Sequence, residues 1–172
     1  MQRAIAILIV TAFLSSQAHA LPAVVMKEHA GLSKRGEAVM RFFGIKVYDI
    51  RLWALGKAHD FKEMYALELV YDLGMKGNEI ARRSVEEMRK VGYVDEAKLT
   101  RWGEVMAQIF PDVQQGDTLV GVSLPGKEVR FYSQEKLIAT VPDAEFAKAF
   151  FEIWLSPKTS EPRLRERLLG LK

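Results

Sequence analysis

Cysteine is absent from the 172 residues. That excludes disulfide staples, thiolate zinc sites and a cysteine nucleophile, so stability must come from packing. Histidine is scarce: three in all, His19, His29 and His59, none with partners at metal-ligand spacing. No metal site is expected. No apolar run reaches the roughly 20 residues a membrane-spanning helix requires. Charge of one sign is missing too. Lys and Arg number 25 against 22 Asp and Glu, interspersed without a basic run, and the net charge is only +3. A nucleic-acid partner is therefore not expected. Dinucleotide-binding, P-loop, zinc-protease and serine-hydrolase signatures do not occur, and no cofactor is expected.

What is present begins with a leader. Arg3 precedes an apolar stretch over 4–14, followed by Ser15, Ser16 and the Ala18-His19-Ala20 small-residue pattern of a cleavage site. Residues 1–20 are expected to be a secretory signal peptide cut after Ala20. Residues 21–172 then form a single soluble periplasmic domain without an integral membrane span.

The apolar period changes along this domain. Branched and aromatic residues over 38–54 predict strand in two segments, with Gly44 as a bend or bulge between them. Residues 64–72 predict another strand. Asn78 is placed to cap a helix striped by Ile80, Ala81, Ser84, Val85, Met88 and Val91 and ended by Gly92. A second helix runs from about Asp95 to Phe110, with Leu99, Trp102, Val105, Met106 and Ile109 inward, and Pro111 stops it. Strands follow at 118–124, 127–133 and 136–141, then helices at 143–155 and 161–169. Strands, two helices, strands, helices describe α+β: a mostly antiparallel sheet with a helical layer on one side. Trp53, Trp102 and Trp154 are expected in the core.

Several polar residues invite chemistry. Asp49 and Arg51 share one strand face. They read either as an ion pair at the sheet rim or as an Arg fork aimed at an anionic head group and oriented by Asp49. Glu68 is expected to face solvent. Glu87 follows Ser84 by three positions and is expected on a solvated helix flank or at the border of a cleft.

The segments Gly44–Ala54, Lys76–Met88, Gly116-Asp117 and Phe151–Ser156, with Leu164-Arg165 and Leu168-Leu169-Gly170, resemble the exported bacterial branch of the chalcone isomerase-like family. The resemblance spans residues 30–170. It implies an open-faced β-sandwich with a ligand cleft between sheet and helices. It also implies where the plant enzyme's polar cleft groups fall: its strand Thr at Phe43, its helix Tyr and Asn at Ile80 and Glu87, its late Thr at Ile153, and its Arg at Arg35 or Arg41. Apolar side chains and an acid at these places argue against flavanone ring closure, since a carboxylate repels a phenolate. Non-catalytic plant relatives bind fatty acids with an Arg near the carboxylate.

Three readings follow. One is a binding protein for an apolar or amphipathic small molecule such as a fatty acid, using Arg35, Arg41 or Arg51 at the head group and Phe43, Ile80, Ser84, Glu87 and Ile153 along the cleft. Another is an isomerase or lyase with Glu87 as acid or base beside Tyr48 or Tyr71. A third is an envelope domain whose partner is a protein.

Overall fold

Six strands make one antiparallel meander in the computed structural model, which describes residues 20–56 and 61–171. They are β1 (Ser33–Phe42), β2 (Ile45–Ala54), β3 (Tyr65–Tyr71), β4 (Thr118–Leu124), β5 (Glu128–Ser133) and β6 (Lys136–Val141), hydrogen-bonded in that order. Two helices, α2 (Gly77–Val91) and α3 (Glu96–Ile109), interrupt the meander between β3 and β4. Two more, α4 (Ala144–Leu155) and α5 (Pro162–Leu168), follow it, and a short α1 (Ala23–Glu28) precedes it. The architecture is the expected α+β open antiparallel sheet with helices.

Alternation along each strand sorts the side chains between two faces. Ile50, Leu52, Leu67, Leu69, Val129 and Phe131 point to the side of α2–α5, where they meet Met88, Leu99, Trp102, Phe146 and Phe150 in the main core. Edge-to-face ring contacts bind this layer, such as Phe131 on Phe150 at 5.0 Å. Close approach replaces side-chain packing at Gly36 of β1, where a Cβ would stand 2.3 Å from the carbonyl oxygens of Arg167 and Leu168. Trp53, Trp102 and Trp154 are all buried.

Four local expectations differ from the structure. Gly44 is not a bulge: the break expected between the two segments is a full chain reversal. Phe43 and Gly44 both have positive φ and form a two-residue turn between β1 and β2, and β1 starts five positions before the expected residue 38. Asn78 does not cap α2. Lys76 is the N-cap residue, and Asp112 accepts the Gly77 amide at 3.0 Å, a contact from a distant loop. The helices are also not confined to one side. The segment with Leu21, Val25 and Leu32 lies on the opposite face, over Trp53, Ala66, Val120, Val122 and Tyr132. That short helix carries too few residues for a readable stripe.

The fourth is Glu68, which is 1% exposed on this second face. Register explains it. Glu37, Arg51 and Glu68 stand opposite one another across β1, β2 and β3. Arg51, 12% exposed, reaches 3.6 Å from each carboxylate, and Trp53 Nε1 donates to Glu68 Oε2 at 3.1 Å. Asp49 pairs not with Arg51 but with Lys46, at 2.8 Å.

Candidate ligand-binding cleft

One stripe of helix α4 runs along the border of the core, with Ala147, Phe151 and Leu155 buried in it. Ala144, Ala147, Lys148, Phe151, Glu152 and Leu155 recur at spacings of three and four, so they lie in one stripe. Antiparallel pairing sets Tyr65, the first residue of β3, opposite Ser123 near the end of β4, both on the helix side. Between this sheet end and the α4 stripe opens a cleft of about 570 Å³, closed further by the Pro125-Gly126 turn, Pro157 and Arg165.

Its floor is aromatic. Tyr65 lies edge-on to Phe151 at 4.8 Å and to Phe61 at 4.9 Å. Burial raises the Tyr65 hydroxyl above the usual phenol range, partly offset by its hydrogen bond with Ser123, so it stays protonated. The rim is charged. Lys148 Nζ stands 3.9 Å from Glu152, whose other oxygen accepts from Tyr93 Oη at 2.7 Å. Arg165 donates through Nε to the carbonyl of Leu155 at 2.8 Å, which ties the middle of α5 to the end of α4. The arrangement suits an apolar body with one polar end. Among the described residues no group of three or more potential metal ligands stands together.

Residues 15–170 match the model of the family described as chalcone isomerase-like. The chain belongs to that family. A Haemophilus influenzae protein, itself uncharacterized, is 26% identical over 136 residues, covering 78% of this chain and 66% of that protein. The match thus spans just under two thirds of the relative's length. The crystal structure of a fatty-acid binding protein from Arabidopsis thaliana superposes with a TM-score of 0.61, over 83% of this chain and 88% of that one, at 12% identity. At that identity the likeness is one of fold. This chalcone isomerase-like chain therefore shares its architecture with a protein that binds fatty acids.

The residues singled out from the sequence lie elsewhere than the cleft. Arg35 and Arg41 are exposed on β1 and donate to the carbonyls of Ala54 and Gly44. Phe43 is 91% exposed at the β1–β2 tip and walls no slot under the helices, because the two-residue turn carries it beyond the sheet. Arg51 points to the face away from α2–α5, as its parity in β2 dictates. Ser84 donates back to the carbonyl of Ile80 within α2, and Ile153 is buried in the core.

One sequence-read group does come together. Tyr48 and Tyr71 meet edge-to-face at 5.7 Å, and Trp154 Nε1 donates to Tyr48 Oη at 3.0 Å. Burial, with the charges of Glu161 and Glu87, holds the Tyr48 phenol above its usual range. Glu87 itself is held by Ser160 Oγ and Lys90 Nζ. His59 and residues 1–19 lie outside the described residues.

Lys148, Phe151, Leu155 and Arg165 take no site role from the sequence, although Phe151, Leu155 and Arg165 lie in the segments that carry the family resemblance. The signal was there for α4, whose apolar residues exceed one helical stripe. Nothing local links Arg165 to Tyr65, which lie 100 positions apart.

Proposed function

We propose that this is an exported chalcone isomerase-like protein that binds, without transforming, an apolar or amphipathic small molecule such as a fatty acid in the cleft beside α4. The carrying observation is the cleft itself: about 570 Å³ with an aromatic floor and two cations, Arg165 and Lys148, at its rim. That volume falls in the range of small-molecule sites, about 300–1,000 Å³. The fold shared with a fatty-acid binding protein supports the reading. An acyl chain would lie along Phe151, Tyr65 and Leu155. Arg165 spends only Nε on Leu155, so its terminal nitrogens offer a carboxylate a planar two-point contact. The leader-like residues 1–20 support delivery to the periplasm.

The test is titration of the delipidated protein with a long-chain fatty acid, alongside mass spectrometry of native protein for co-purifying lipid. Arg165→Gln is expected to weaken binding about tenfold or more. Ala144→Trp, at the exposed rim of α4, is expected to block it while leaving the circular dichroism spectrum unchanged. Saturable binding that both variants leave intact would refute the cleft as the site.

A further inference from the structure

Four of the eight exposed large apolar side chains among the described residues belong to one hairpin, and the other four, Met26, Val94, Leu137 and Leu171, are scattered. Phe43 is 91% exposed, Ile45 64% and Phe42 48%, and Val39 lies close by on β1. All four belong to the β1–β2 hairpin. Phe42 and Ile45 pair across it, leaving Phe43 and Gly44 as a two-residue turn with φ of +47° and +81°. Such a turn favours Asn, Asp or Gly at both positions, and a bulky residue at positive φ is an outlier. Neither backbone preference nor core packing accounts for a Phe here. Its ring leans on Phe42 at 4.6 Å, and the pair stands out from the sheet end.

The collar of this tip is basic. Arg83 of α2 lies 5.3 Å over the Phe42 ring. Arg41 donates to the carbonyl of Gly44 at 3.1 Å, which also stiffens the turn. Residues 38–48 contain two cations and no acid. Lys46 engages the carboxylates of Asp49 and Asp72, and Arg82 beside Arg83 is paired with Glu86. Among the described residues neither Arg41 nor Arg83 is in an ion pair with a carboxylate.

We propose that the β1–β2 hairpin tip docks the protein onto an anionic lipid surface, with Phe42, Phe43 and Ile45 entering the boundary between head groups and acyl chains and Arg41 and Arg83 meeting the phosphates. Apolar and basic groups at one projecting point complement such a surface in both polarity and charge. A protein partner fits less well, because a stable interface engages about 20–30 residues a side and the tip offers four apolar ones. The site is independent of the cleft. Tyr65 and Ser123 border the sheet end where β2 finishes, whereas the tip lies where β2 begins.

The experiment is vesicle co-sedimentation of protein beginning at Leu21, which retains every described element. Vesicles of phosphatidylglycerol mixed with phosphatidylcholine are compared with phosphatidylcholine alone. Binding to the anionic vesicles, weakened by salt, is expected. Phe43→Asn suits the turn, so the melting temperature is expected to hold while partitioning falls about tenfold or more. Arg41→Gln with Arg83→Gln is expected to remove the preference for anionic lipid. Fatty-acid titration of the Phe43→Asn protein keeps docking distinct from the cleft reading. The proposal is overturned by absence of vesicle binding, by equal binding to both vesicle types, by binding that Phe43→Asn leaves unchanged, or by a self-association that this variant abolishes.

Discussion

His29 shows how much one side chain can register. It is buried on the second face of the sheet, with Nε2 2.8 Å from Tyr132 Oη, and that hydroxyl donates to Glu28 at 2.7 Å. Since the phenol proton goes to the carboxylate, the imidazole proton sits on Nε2 and is donated to Tyr132. Burial, then the Arg130 charge, pushes the imidazole below its ordinary value of 6.5, with Glu28 offsetting part of the shift. The unfolded chain therefore binds this proton more readily than the folded one. Stability is full above the unfolded value and declines as pH falls below it toward the folded value. Urea denaturation across this range is expected to show that decline, and His29→Gln to remove it.

At the same scale, Glu68→Ala leaves Arg51 facing only Glu37 and is expected to cost about 3 kcal/mol or more. The double change Arg51→Met with Glu68→Leu is expected to recover most of that loss, as the same denaturation series would report. A double variant as unstable as the single would mean that the ion pair, rather than the isolated charge left behind, carries the energy.

Elements follow their sequence signals where contacts are local. Asp95 and Asp143 cap α3 and α4 through their carboxylates, Gly92 closes α2 with φ of +122°, and Pro162 opens α5. Where a distant group intrudes, the local signal misleads. Asp112 supplies the first turn of α2 with the acceptor expected of Asn78. Close approach between elements is equally invisible in advance. Gly36 of β1 looks like an ordinary strand glycine, yet α5 reaches it with two backbone carbonyls. Gly36→Ala is expected to push α5 from the sheet and destabilise the fold by about 1–3 kcal/mol, measured by thermal or urea unfolding. An unchanged midpoint would show that α5 moves freely.

For the whole molecule, the sheet binds two layers of unequal depth. α2–α5 cover one face with the main core, and the 21–32 segment covers part of the other. The cleft lies where the edge of that main core, at Ala147, Phe151 and Leu155 of α4, meets the end of the sheet at Tyr65 and Ser123. Ligand loading is a property of that whole assembly, so a bound fatty acid is expected to raise the melting temperature with its free concentration.

Periodicity with turn signals determined the strands apart from the first five residues of β1, the four longer helices, the α+β class and the two-sided strands, because side-chain alternation and helical stripes are repeated over many residues. The chain's spacing also placed Arg51 on the same face as Asp49. Only the tertiary structure decided that Glu37 and Glu68 take Arg51, that Glu68 is buried, and that Arg165 and Tyr65 border one cleft. Register and crossing geometry bring such groups together across many residues of chain, and no local pattern encodes those distances.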